Sequence, residues 1–358
     1  MEIFWYIVLV GMLATYIILD GYDFGAGIIH LFFAKDEKDK KSIKSAIGPF
    51  WDANEVWLIA GGGILFFAFP TLYASAFSGF YLPLIMILWL LVFRAIALEL
   101  RNHLKNHLWN SLFDIAFGVS SLLLALFFGL ALGNILRGVN LGGVINGVST
   151  FEPHYFFLPL WNSTLNPLAE NLGIIDWFTI ILGLISLVAL TIHGATWIIF
   201  KTNSSLNDKL KSTIVKLSFV LSILLVLVLI AWGVFKVGPF DNFLDFPYLF
   251  LFPTLTIVGI VGLINIKKYK KDYMGFMYSS IFLFGSFITG VAAIFPEFLP
   301  STNNINPGLS ITNTAAAEYG LTMGLYWWML AIVLVVFYFI SQYKIFNGKM
   351  DDVEYGEH

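Results

Sequence analysis

Nine stretches of roughly 20 mostly apolar residues run through this chain, at about 4–33, 50–69, 79–101, 111–133, 177–200, 214–235, 247–266, 274–295 and 321–343. Each is long enough to cross a bilayer's hydrocarbon core as a helix, and a soluble fold has nowhere to bury them all. Composition agrees: of 358 residues, 58% are hydrophobic and 12% charged, with mean hydropathy +0.82. The expected fold class is an all-α integral membrane protein with nine transmembrane helices. At about 30 residues the first run makes roughly 45 Å of helix, so it tilts or protrudes. Its start, Met1-Glu2-Ile3-Phe4, lacks the basic region and cleavage site of a signal peptide, so it reads as a retained span. The absence of cysteine excludes disulfides, thiolate metal sites and iron–sulfur clusters.

Basic residues give the orientation. Lys35, Lys38, Lys40, Lys41 and Lys44 lie between the first two runs, and Lys105 lies beside Arg101 after the third. Lys201, Lys209, Lys211 and Lys216 follow the fifth, Lys267, Lys268, Lys270 and Lys271 the seventh, and Lys344 and Lys349 the ninth. The alternate connections, 70–78, 134–176, 236–246 and 296–320, carry only Arg137 and Lys236. An outside N-terminus and a cytoplasmic C-terminus place every lysine-rich connection inside. The two longer outer connections, containing Phe151-Glu152-Pro153-His154-Tyr155 and Pro300-Ser301-Thr302-Asn303-Asn304, read as ordered surface segments.

Against this apolar background the ionisable residues stand out. Asp20 and Asp23 share a face of the first span, with Asp23 roughly 15 Å from its cytoplasmic end. Gly21 and Gly25 have the spacing that lets a second helix approach closely. Asp52 and Glu55 share a face of the second span, within Trp51-Asp52-Ala53-Asn54-Glu55-Val56-Trp57. Arg94 lies about 10 Å inward of Arg101, Glu99 sits between them, and Asp114 occupies the cytoplasmic end of the fourth span. Arg94 has no acid three or four residues away, so its partner must come from another helix.

The inward acids Asp20, Asp23, Asp52, Glu55 and Glu99 outnumber that one clearly buried base. They cannot all be ionised in hydrocarbon, and a carboxyl that is neutral part of the time can pass protons; the expectation is a proton-accepting cluster open to the cytoplasm. A structural reading stands beside it. Gly48-Pro49 resembles a helix start, which would put Asp52 and Glu55 in the first two turns, where acids favour the helix dipole. For Asp20 and Asp23 no dipole end or interface is near. His30 and His193 are either haem ligands or hydrogen-bonded structural histidines, with the structural reading favoured. His103 and His107 belong to an interfacial connection. Nucleophilic triads, phosphate loops and metal-ligand clusters are absent from the sequence.

These residues resemble subunit II of the cytochrome bd-type quinol oxidases. The likeness rests on Leu19-Asp20-Gly21-Tyr22-Asp23-Phe24-Gly25-Ala26-Gly27, the run Ile47–Trp57, Ala60-Gly61-Gly62-Gly63 and Phe69-Pro70. It continues through 77–81, Phe93-Arg94, Glu99-Leu100-Arg101, Gly133-Asn134, Gly194-Ala195-Thr196 and Phe295-Pro296, most specifically in the first hundred residues. The resemblance implies a heterodimeric membrane oxidase that takes electrons from quinol, reduces dioxygen to water and generates a proton-motive force. Subunit I would carry haem b and haem d (or b), and this chain would bind no cofactor of its own. A structural quinone and a small accessory membrane subunit are compatible with it; membrane lipids are expected partners and nucleic acid is not.

The implied fold is a four-helix bundle over 1–133, an outer loop at 134–176, a second bundle over 177–295, an outer loop at 296–320, a peripheral helix at 321–343 and a cytoplasmic tail at 344–358. The location is a prokaryotic cell membrane. Asp52 and Asp23 match acids on the family's proton route, and Trp57 a tryptophan at the start of an oxygen passage in some members. His193 stands where members carry glutamine. A proton-coupled secondary transporter is the alternative from another class, and matched broken helices in an inverted repeat would favour it.

Overall fold

The computed structural model describes residues 1–104 and 106–350. Lys105 and the last part of the expected tail, 351–358, lie outside the described residues. The helices are α1 (Glu2–Phe32), α2 (Glu37–Ile47), α3 (Trp51–Ala68), α4 (Pro70–Gly79), α5 (Tyr81–Leu100), α6 (His107–Arg137), α7 (Trp177–Lys201), α8 (Leu206–Gly233), α9 (Asp241–Asp245), α10 (Leu251–Ile264), α11 (Tyr273–Ile294) and α12 (Glu318–Ile345). Among the described residues, eight helical segments are long and apolar enough to cross a membrane, and a ninth crossing exists if α3 and α4 form one bent span.

The expected second span is where structure and sequence pattern diverge. α3 has only 18 residues, and its first turns carry Asp52, Asn54 and Glu55. It ends at Phe69 because Pro70 has no amide hydrogen and disfavours helical backbone at the residue before it. The chain turns by 118° there, and Pro70 becomes the first residue of α4, in a segment expected to be a connection. Pro49 does not open α3: the cap is Phe50 and the first helical residue Trp51, so Asp52 still falls in the first turn. The expected 34–49 loop is largely helical. In α2 the Asp36 side chain caps the Asp39 amide, and Ile43, Ala46 and Ile47 form a fully buried stripe among the lysines.

α1 packs on α3, α6, α7 and α11, while α7 also packs on α6, α8 and α11. The α10 helix joins α8 and α11. Glycine permits the closest of these crossings. A Cβ on Gly25 would lie 2.0 Å from the Leu190 carbonyl oxygen, and one on Gly194 would lie 2.2 Å from the Gly25 carbonyl carbon. The Gly21/Gly25 spacing is therefore used as the sequence suggests, with α7 as the neighbour. α12 stays peripheral, with none of its most apolar stretch fully buried, and is tied in by Gln342 donating to the Pro49 carbonyl at 2.6 Å.

Away from the lysines, the 134–176 and 296–320 connections fold over the helix ends. Asp176 caps α7 by accepting from the Phe178 and Thr179 amides, both at 2.9 Å, and also pairs with Arg137 at the end of α6. Asn303 and Asn306 donate to the Leu141 carbonyl at 2.8 and 3.0 Å, locking the two connections together. A short hairpin, β1 (Glu297–Leu299) with β2 (Leu309–Ser310), completes this cap.

If the α1–α7 crossing holds the molecule together, Gly25→Leu should destabilise it by about 3 kcal/mol or more. Gly62→Ala, with nothing within 4 Å of the added carbon, should be neutral or slightly stabilising. Thermal unfolding in detergent separates these outcomes, and equal midpoints would contradict the crossing.

Candidate functional site

Three helices bring the internal ionisable residues together. Arg94 on α5 is fully buried, and its Nη2 donates to Asp20 Oδ1 on α1 at 2.8 Å and to Glu55 Oε1 on α3 at 2.5 Å. The guanidinium also lies over the Phe24 ring, 4.4 Å from its centroid. Arg94 thus finds its acids on other helices, as its own sequence neighbourhood requires. A lone arginine in hydrocarbon is costly, and short bonds to two carboxylates offset that desolvation. Asp20 is as buried as Arg94, whereas the Glu55 side chain keeps 26% of its surface exposed and forms the outer edge of the group.

Asp23 is held differently. It is fully buried, and its Oδ2 accepts from Asn54 Nδ2 at 2.8 Å. The same amide nitrogen lies 2.8 Å from the Tyr22 hydroxyl, which is 3.2 Å from that of Tyr343 on α12. Asn54 therefore links α1 to α3 at the acid that no cation touches. Among the described residues, Asp23 Oδ1, Asp20 Oδ2, Asn54 Oδ1 and the Nε and Nη1 atoms of Arg94 have no hydrogen-bond partner. So many unpaired polar atoms in one buried place mark a polar interior. Asn54 belongs to the site although a count of charges passes over a neutral side chain; its place between Asp52 and Glu55 on an apolar helix is the sequence signal for it.

Two of the five acids stand apart. Asp52 is exposed in the first turn of α3, and Glu99 is exposed near the end of α5. Glu99 is not an inward acid in this chain; its backbone carbonyl lies 3.2 Å from His103 Nδ1. Asp52 is one helical turn before Glu55 and faces outward beside it.

A second ionic group closes the lysine-rich end. Asp114 on α6 accepts from Lys40 and Lys44, both at 3.0 Å, and from Arg101 Nε at 2.6 Å, with His30 Nε2 3.3 Å away. Glu37 pairs with Arg101 at 2.8 Å, and that hydrogen bond holds its carboxyl below the usual range. Burial pushes Lys44 down to about 8. One carboxylate surrounded by four basic side chains pins α2 to α1 and α6, an arrangement with a structural explanation.

His193 follows the hydrogen-bonded, structural reading. His193 Nε2 lies 2.7 Å from the Ile18 carbonyl, which can only accept, and Nδ1 lies 2.8 Å from the Ser279 hydroxyl. Both ring nitrogens are engaged, leaving neither for iron. Among the described residues no group of three or more His, Cys, Asp or Glu is arranged to hold a metal ion. Trp57 lines an apolar groove of about 570 Å³ between α1, α3 and α12, with Trp5, Phe67 and Trp328 on its walls.

Fold and site together define a polytopic helical membrane protein with an unbalanced ionisable cluster in its interior. Residues 1–346 match the family described as "Cytochrome bd terminal oxidase subunit II". This chain belongs to that family and is a subunit of a bacterial-type terminal oxidase complex, which works with a subunit I. It is 27% identical to the "Probable cytochrome oxidase subunit 2" of Haemophilus influenzae, over 97% of this chain and 94% of that protein. To the "Cytochrome bd-I ubiquinol oxidase subunit 2" of Escherichia coli it is 25% identical, over 92% and 89%. Its fold matches a chain of the bd oxidase from Geobacillus thermodenitrificans with a TM-score of 0.65 and 13% identity, covering 96% and 97% of the two chains.

Replacing Arg94 by Leu strands buried carboxylates and should destabilise the protein by roughly 3–5 kcal/mol. Arg94→Leu combined with Asp20→Leu and Glu55→Gln should recover much of that loss, read as the thermal midpoint in detergent. A triple variant no more stable than the single one would contradict the pairing.

Proposed function

We propose that this chain is the haem-free subunit of a quinol-oxidising, dioxygen-reducing oxidase, and that it carries part of a cytoplasmic proton-uptake path. Its family supports the first half of that reading. The second half rests on one observation: Asp20 and Glu55 share the one buried guanidinium, and a third carboxyl, Asp23, lies in the same interior paired only with the Asn54 amide. Three carboxyls cannot all stay ionised beside one buried cation, so the group has room for a proton.

Reduction of dioxygen to water consumes a proton for every electron, and those protons must reach a site buried in the membrane. The lysine-rich connections support an inside location for the end that carries them, with the N-terminus outside and the C-terminus cytoplasmic. Asp52, exposed at the start of α3, takes the proton first. Glu55 stands one turn further along the same helix, and through Arg94 it adjoins Asp20. Asp23, steadied by Asn54 rather than by a cation, holds the proton for onward passage. Glu99, exposed at the end of α5, belongs to the outer approach. Electron transfer takes place on haem b and haem d (or b) of subunit I, with quinol as the donor. The Trp57 groove suits an oxygen passage or a structural quinone, and a small accessory membrane subunit and lipids complete the complex. The packing of α1, α3, α5 and α6 beside α7, α8, α10 and α11, with α12 peripheral, supports a two-bundle design.

The proton-coupled transporter is not favoured, since family membership points to the oxidase. Among the described residues, α3–α4 also has no matching broken pair.

In the assembled oxidase, Asp23→Asn and Asp52→Asn should each slow proton uptake during dioxygen reduction by roughly 10²-fold and leave the haem spectra unchanged. Unaltered uptake in both variants would remove the proton path from this subunit while leaving its family membership intact.

A further inference from the structure

The end opposite the lysine-rich connections holds a second concavity of about 500 Å³, walled by residues from 137–144, 167–170, 236–239 and 300–303. α6, α8 and α11 end beside it at Arg137, Gly233 and Ile294, so it lies where hydrocarbon gives way to water. The connections on this side carry only two basic residues, Arg137 and Lys236, and both line this pocket.

Their settings differ. Arg137 is buried and donates to Asp176, Asn134 and the carbonyls of Gly138 and Gly173, which leaves one of its five N–H groups over. Lys236 is exposed and holds φ at 56°, a left-handed conformation that disfavours any residue with a Cβ. Ser301 also lines the pocket, and its buried Oγ has no hydrogen-bond partner among the described residues. Glu170 adds a carboxylate to the same lining, with Oε1 accepting from the Asn146 amide at 2.7 Å. Val144, Leu168 and Pro239 supply an apolar part. Arg137 and Asp176 cancel, so the pocket offers one exposed cation and one exposed anion beside hydrocarbon.

We propose that this pocket binds a zwitterionic phospholipid headgroup. Lys236 receives the phosphodiester, Glu170 receives the ammonium, and the glycerol end rests on Val144, Leu168 and Pro239. Balanced charge favours such a headgroup over a purely anionic one, and the position at the membrane boundary favours a lipid over free phosphate.

The test uses the intact assembly with its partner subunit, delipidated in mild detergent and titrated with phosphatidylethanolamine under native mass spectrometry. Lys236→Gly should weaken retention of one lipid roughly tenfold, the effect of losing a charged hydrogen bond to phosphate. Its thermal midpoint without lipid should equal or exceed the parent's, because glycine relieves the left-handed backbone. Glu170→Gln should shift preference from phosphatidylethanolamine towards phosphatidylglycerol, and inorganic phosphate at millimolar concentration should displace neither. Equal lipid retention in Lys236→Gly and the parent, an unchanged preference in Glu170→Gln, or displacement by phosphate alone would overturn the proposal.

Discussion

A buried guanidinium shared by acids from two other helices is the interaction on which the site depends. Arg94 cannot remain in hydrocarbon unpaired, and its bonds to Asp20 and Glu55 fix α5 relative to α1 and α3. Those bonds also leave a remainder, because a third carboxyl, Asp23, sits in the same interior and meets an amide instead of a cation. Structural ion pairs in membranes tend towards charge balance, and this one does not reach it. The imbalance gives the cluster a chemical capacity that a purely structural pair would lack.

The opposite face of α1 makes the arrangement possible. Gly21 and Gly25 lie about half a turn around the helix from Asp20 and Asp23, and they seat α1 against the α7 backbone at Gly194. One helix thus carries the tight contact on one side and the acids on the other. His193, one residue before Gly194, binds the Ile18 carbonyl and Ser279, tying α1, α7 and α11 together at the same level. One of the two histidines weighed as haem ligands is part of this clamp.

Much of this was legible in the sequence because the bilayer imposes simple rules. Long apolar runs located most spans to within a few residues, and the isolation of Arg94 within its own helix required partners elsewhere. The α3–α4 bend was not visible in a hydropathy count, because Pro70 redirects the chain without changing its apolar character. α2 was hidden by its four lysines and arginine-bound Glu37, although Ile43, Ala46 and Ile47 fall at helical spacing. Counting charges grouped Asp52 and Glu99 with the buried acids, while the structure leaves both exposed and brings in neutral Asn54. Periodicity reports which face a residue occupies but not which helix covers that face, and it is the cover that separates these acids.

The central claim is that the internal carboxyls of this subunit change protonation while the oxidase works. Infrared difference spectroscopy of the assembled complex during reduction tests it most directly, in the carboxylic C=O stretching region. A band that shifts with deuterium exchange and disappears in Asp23→Asn, yet persists in Asp114→Asn, is the result predicted. A spectrum in that region unaffected by Asp23→Asn, Asp20→Asn and Glu55→Gln alike would contradict the account.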